Sequence, residues 1–399
     1  MKKHIAILLI CITLLTSFAS VGTSAAVIDA KPGYAIELNG EAINCSSIYL
    51  NNTHYVPLRN VFEKMGAVVF YRASDNQILA LSRDGDMIRH IVGKNVVNVN
   101  GKDITFKNPS VRQNNTTYIP LNMVYSVFYP KAIQNSNQRI NIQKQFANNE
   151  YHKIVKDILD LSKDSNFYPE NFKKYKEYHT KAPNVSMKDV LFRVNLGLDR
   201  PFYENIIAIT NPYDKLVLVN KYNKLPDGHQ QINLVNMERK YTSADGKQYL
   251  LESEAYQKYT EMATAAKNAG QSMIVVSAYR TESYQRNLYN NKVYSTGKAN
   301  ADNYSARPGH SEHQTGLAVD INSTRGAIEY TQEFKWLQQH AHEYGFIMRY
   351  PKGKEWITGY AYEPWHYRYV GIDAAKIIHD ENITYEEYYV KYIIGNEFK

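Results

Sequence analysis

At 399 residues the chain is too long for one ordinary domain and long enough for two or three with real cores. Its 47 basic residues exceed 39 acidic ones for a net charge of +8, but no run of five like charges occurs, which argues against a nucleic-acid partner. Only Cys11 and Cys45 are available, and Cys11 sits in an apolar N-terminal run, so a disulfide scaffold is excluded.

Met1-Lys2-Lys3-His4 precedes an apolar run from Ile5 to about Val21, and Thr23-Ser24-Ala25-Ala26 supplies small residues behind it. This order reads as a secretory signal over residues 1–26, cleaved after Ala25 or Ala26, with an uncleaved anchor as the alternative. Loss of Lys2 and Lys3 leaves a mature charge of about +6, suited to an anionic cell wall, and Cys45 then has no partner for a disulfide. No later segment is apolar and long enough to span a membrane.

The next feature is an internal repeat. Asn51-Asn52-Thr53-His54-Tyr55-Val56-Pro57-Leu58 returns 63 residues later as Asn114-Asn115-Thr116-Thr117-Tyr118-Ile119-Pro120-Leu121. Each copy predicts an Asn-Asn turn, a short strand ended by proline, and a helix. Asn39-Gly40 and Asn100-Gly101 add hairpin chemistry, because Asn-Gly readily takes positive φ. Residues 34–144 resemble the domain family named for the N-terminal region of copper amine oxidases, here duplicated. The Tyr-Val-Pro-Leu-Arg signature is complete only in the first copy, where Arg59 corresponds to Asn122 of the second. His54 and His90 are not spaced as a copper site, so the reading is a structural or wall-contacting module.

Residues 145–200 read as a helical connector, with one helix over Tyr151–Leu161 and another from Ser186, an N-cap candidate, to Gly197. Beyond it, residues 201–399 alternate strand and helix signals. Leu216–Val219 and Met273–Ser277 read as strands. Tyr256–Ala269, Thr281 to about Asn290, and Thr331–Tyr344 read as helices, the first closed by Gly270 and the last by Gly345. The mixture implies an α+β domain after a β-rich N-terminal one.

Three separated stretches carry chemistry: Ser311-Glu312-His313-Gln314-Thr315-Gly316-Leu317-Ala318-Val319-Asp320, Glu363-Pro364-Trp365-His366, and Ser277-Ala278-Tyr279-Arg280. Alternation over Leu317–Ile321 turns Asp320 away from the apolar face, and Gly316 offers the turn that brings His313 to the same side. Pro364 makes Glu363 and His366 part of a turn entering a strand. Two imidazoles and a carboxylate suit Zn²⁺ with a position left for water. Glu363 is then better kept off the metal as the general base.

These motifs resemble the zinc D-alanyl-D-alanine carboxypeptidases of vancomycin-resistance type and their LD-carboxypeptidase relatives, over about Leu216 to Gly371. The resemblance implies a small antiparallel-sheet zinc peptidase domain of the hedgehog/DD-peptidase kind. It implies His313, Asp320 and His366 as zinc ligands, Glu363 as general base, and Arg280 as contact to the oxyanion or the terminal carboxylate. A guanidinium suits that carboxylate because it is a planar, two-pronged donor. Gln285 and Ser311 match positions that hold the substrate, and Asn220-Lys221-Tyr222-Asn223 matches a structural segment ahead of the core. The implied reaction removes C-terminal D-alanine from peptidoglycan stem peptides. An endopeptidase on the same fold and a non-catalytic wall-binding protein are the alternatives.

Overall fold

A computed structural model describes residues 30–146 and 149–395, so the signal-like residues 1–26 lie outside the described residues. These form two compact units, one of residues 30–69, 73–82 and 88–146, the other of 70–72, 83–87 and 149–395. Among the described residues no helix is long and apolar enough to cross a membrane.

The first unit contains a seven-stranded sheet in which the repeat is visible as symmetry. Strands Thr53–Pro57 and Thr116–Pro120 pair antiparallel, with Tyr55 opposite Pro120 and Tyr118 opposite Pro57. The equivalent residues Val56 and Ile119 face each other, which places a pseudo-twofold axis between them. Each strand is entered through an Asn-Asn turn with both φ positive, 49° and 59° at Asn51-Asn52 and 47° and 60° at Asn114-Asn115. Two positive φ values match the twist of the flanking strands, and asparagine tolerates them. Asn39-Gly40 and Asn100-Gly101 turn in the same way. Pro57 and Pro120 close the strands and precede helices Leu58–Lys64 and Leu121–Phe128, whose Phe62 and Phe128 rings meet edge to face at 4.7 Å.

The second unit opens with helices Glu150–Asp160, Phe172–Lys181 and Met187–Asn195. Ser186 caps the last of these by accepting from Asp189 N. Its centre is a four-stranded antiparallel sheet in the order Val275–Ser277, Ala318–Ile321, His366–Tyr369, Phe346–Met348. One face of that sheet presents Val319, Ile321, Tyr367 and Tyr369 to Tyr259, Met262 and Ala266 of helix Ser253–Asn268. Alternation therefore sends Asp320, His366 and Arg368 to the opposite face.

Three sequence expectations are corrected here. No strand forms over Leu216–Val219, although Val217, Leu218 and Val219 are buried. The carbonyls of Lys215 and Val217 instead accept from Nη2 of Arg368, both at 2.9 Å, so a buried side chain takes the place of a neighbouring strand. The helix begun by Thr281 runs past Asn290 to Thr296 and stops at Gly297, with φ of 79°, because two asparagines lower helix propensity without ending a helix. The helix capped by Thr331 is α-helical only over Gln332–His340 and tightens to 3₁₀ over Ala341–Tyr344.

Ile119 is fully buried at the pseudo-twofold axis. Ile119→Ala is expected to lower the stability of the first unit by about 3 kcal/mol, read as a shifted urea midpoint in the full chain.

Candidate metal centre and active site

Gly316 makes the site possible. The 3₁₀ turn Glu312–Thr315 ends on it with φ of 66°, and strand Ala318–Ile321 follows. A Cβ at this position would lie 3.3 Å from Glu252 N and 2.8 Å from Leu234 Cδ2, so a side chain meets both strain and crowding. The reversal carries His313 back over the strand to Asp320, and Nε2 of His313 lies 3.5 Å from Asp320 Oδ2.

Strand register supplies the next residues. Asp320 is directly opposite His366 on one side and Ser277 on the other, so these three stand in a row across the sheet. His366 Nδ1 lies 3.1 Å from Asp320 Oδ1, and the two imidazole rings meet edge-on with centroids 4.9 Å apart. Donor atoms of His313, Asp320 and His366 all lie within 4.8 Å of one another, the only such trio among the described residues. All three side chains are buried.

The tautomers fit a metal. His313 Nδ1 donates to Ala278 O at 2.7 Å, which leaves the Nε2 lone pair for an ion. His366 Nε2 donates to Glu312 Oε2 at 3.4 Å, which leaves Nδ1 for the same ion. Outer hydrogen bonds of this kind fix ring orientation and raise ligand basicity. Two nitrogens and one carboxylate oxygen form a donor set for a borderline divalent cation with one position open.

Glu363 stands on the turn before strand His366–Tyr369, its Oε2 3.8 Å from His366 Nδ1 and outside the ligand trio. Burial pushes its carboxyl up to about 7, and Asp320 nearby adds repulsion. Burial would raise Asp320 as well, but His313, His366 and Arg280 hold it well below the usual carboxylate range. His313 is pushed down to about 4 by burial and by Arg280. For His366, burial is outweighed by hydrogen bonds to Asp320 and Glu312, which push it up to about 9.

Arg280 follows strand Val275–Ser277 and faces the same cavity of about 520 Å³, which Ser311, Tyr350 and Trp365 also line. Its Nε and Nη2 donate to Ser277 Oγ at 3.1 and 2.8 Å, Nη2 also to Asp320 Oδ2 at 3.1 Å, and Nη1 to Gln285 Oε1 at 3.3 Å. Four of the five guanidinium hydrogens are thus engaged, and one on Nη1 remains. A substrate carboxylate meets one free donor, and two-pronged docking requires Asp320 or Ser277 to yield one. Gln285 is buried with both ends of its amide used, Nε2 donating to Ala306 O at 2.8 Å, so its visible action is to orient Arg280.

Sequence reasoning gave no role to the charged cluster behind the site. Glu312 accepts from Arg349 Nε at 2.7 Å, from Arg368 Nη1 at 3.1 Å and from His366. Arg349 continues to both oxygens of Glu386 at 2.9 and 2.6 Å, and Asn220 Nδ2 donates to the same carboxylate at 3.2 Å. One signal was present: Arg368 is two residues beyond His366 and shares its strand face.

Residues 248–372 match the family described as D-alanyl-D-alanine carboxypeptidase, and residues 37–142 match the copper amine oxidase N-terminal domain. YodJ of Bacillus subtilis (strain 168), named as a carboxypeptidase, is 42% identical over 196 residues, covering 47% of this chain and 71% of that protein. A D-alanyl-D-alanine carboxypeptidase of Enterococcus faecalis (strain ATCC 700802 / V583) is 37% identical over 182 residues, covering 43% of this chain and 65% of that one. The solved LdcB LD-carboxypeptidase is 41% identical over 47% of this chain and 91% of its own, with a TM-score of 0.45.

Burial alone would raise Glu312, but Arg349 and Arg368 hold it well below the usual carboxylate range. A folded-state value below the unfolded one contributes stability that is present above about pH 4.3 and lost as pH falls further. Glu312→Gln is expected to cost about 3–5 kcal/mol in urea unfolding at neutral pH, because it leaves the buried guanidinium of Arg368 without a carboxylate and that of Arg349 with Glu386 alone.

Proposed function

Since this chain belongs to the D-alanyl-D-alanine carboxypeptidase family, we propose that it is an exported zinc carboxypeptidase that removes the C-terminal D-alanine from peptidoglycan stem peptides. The observation that carries the reading is the buried trio His313, Asp320 and His366 with Glu363 beside it and Arg280 in the same cavity. Export rests on the apolar run behind Lys2 and Lys3.

In this reading His313 Nε2, an oxygen of Asp320 and His366 Nδ1 hold zinc. When bound, the ion supplies a Lewis acid that polarises water and the scissile carbonyl. Glu363 takes the proton of the attacking water and delivers it to the departing D-alanine nitrogen. A carboxyl near 7 is matched to both transfers at neutral pH. Arg280, held in place by Ser277 and Gln285, offers its free Nη1 hydrogen to the terminal carboxylate or to the developing oxyanion. Ser311 lines the cavity beside them as a further substrate contact.

The test is release of D-alanine from stem peptides ending in D-alanyl-D-alanine and from tetrapeptides with a single LD-linked D-alanine, assayed side by side with and without a chelator. Glu363→Gln should retain zinc by elemental analysis yet lose about 10²–10⁴ in kcat/KM. Wild-type activity should fall as pH drops below about 7, where the base becomes protonated. Release that survives both chelation and this substitution would sink the mechanism, and internal fragments in place of D-alanine would indicate an endopeptidase.

Zinc affinity should depend on pH as well. With His366 raised to about 9, the metal-free site carries a proton on Nδ1 that zinc must displace. Affinity should therefore weaken by about tenfold per pH unit below 9, with proton release seen by titration calorimetry in buffers of different ionisation heat. An affinity flat between pH 6 and about 9 would refute this assignment.

A further inference from the structure

One wall of the active-site cavity is a stripe along helix Glu282–Thr296, made of Gln285, Leu288 and Lys292. These positions share one helix face. The stripe starts at the reaction centre, because Gln285 Oε1 accepts from Arg280 Nη1 at 3.3 Å. At 1.5 Å per residue, Lys292 lies about 10 Å further along the helix. Its ammonium sits over the ring of Tyr304, another cavity residue, 5.3 Å from the centroid.

Lys292 is half-buried, and no carboxylate among the described residues comes within 4.0 Å of its Nζ. The other long cation lining the cavity, Arg280, is already paired with Asp320 at 3.1 Å. An ammonium on an aromatic face, at a substrate wall and without an acidic partner, is a ready counter-charge for an anion on the ligand.

We propose that Lys292 is a specificity residue that reads a free carboxylate on the stem peptide about three residues from the reacting end. The inference rests on the carboxypeptidase reading above. An extended chain advances about 3.3–3.6 Å per residue, so the distance from Gln285 to Lys292 corresponds to about three residues. Two carboxylates can stand in that region of a stem peptide: the α-carboxylate of a γ-linked D-glutamate and, where the third residue is diaminopimelate, its distal carboxylate. Both present the same anion, and each is neutralised when it becomes an amide.

The test compares three D-alanine-terminated stem peptides with the zinc-loaded full chain: the diacid, its D-glutamate amide and its diaminopimelate amide. Wild type should turn over the diacid with kcat/KM about fivefold above one of the amides, mainly through KM, and that amide identifies the carboxylate read. Lys292→Met should remove the preference, Lys292→Glu should invert it, and added salt should shrink it in wild type. Equal kcat/KM on all three peptides, or a preference that persists in Lys292→Met, overturns the proposal while the carboxypeptidase reading stands. No D-alanine from any of the three overturns that reading and this proposal together.

Discussion

The carboxylate of Glu312 is the constraint on which the rest of the catalytic unit depends. Arg349 and Arg368 are fully buried, and an unpaired guanidinium there would cost several kcal/mol. Glu312 neutralises one end of each and receives His366 Nε2 as well, while Glu386 closes the far end of Arg349. Nη2 of Arg368 donates to the backbone carbonyls of Lys215 and Val217, and its Nε to that of Tyr369. The turn carrying His313, the strand carrying His366, the 215–219 segment and helix Tyr385–Tyr388 are therefore fixed by one set of charges. Such a network contributes little net stability, since desolvation offsets the attraction, but it penalises every arrangement that leaves a charge unpaired. Its product is a single orientation of the His366 ring.

The sheet supplies what the charges do not. Ser277, Asp320 and His366 occupy opposed positions on three strands, so backbone pairing alone sets their spacing. Arg280 is then tied to two members of that row, Ser277 and Asp320. The first unit applies the same economy to its repeat. Strand Thr53–Pro57 of one copy would expose an unpaired edge, and its equivalent Thr116–Pro120 covers it about a pseudo-twofold axis. Duplication is thus a structural requirement of that sheet, whatever the unit binds.

Much of this was legible in the sequence because it is local. Ser186, Thr281 and Thr331 each cap the helix expected of them, and the Asn-Asn and Asn-Gly pairs adopt the positive φ their chemistry allows. The seven site residues were named from motifs, and the fold brings all of them to one cavity. What was hidden depends on partners far away in the chain. Leu216–Val219 has the composition of a strand, yet the carbonyl of Val217 and that of Lys215 just before the segment accept from Arg368, about 150 residues on. Arg349 and Glu386 look like surface charges until folding buries them together, and no periodicity announces that. The end of the helix begun by Thr281 was misplaced because asparagines weaken a helix, whereas Gly297 stops it.

Two carboxyl groups of the same cavity, Asp320 and Glu363, are driven in opposite directions by their surroundings. Both are buried, which by itself would raise both. Asp320 has His313, His366 and Arg280 in direct contact and stays ionised, the state a metal ligand needs. Glu363 has His366 no closer than 3.8 Å and feels the charge of Asp320, so its carboxyl rests at about 7. In the proposed reaction, environments that separate the two values would also separate the two tasks, permanent charge at one oxygen and proton exchange at the other. Exchanging the two side chains' surroundings would therefore disable both proposed roles without altering the residue types present.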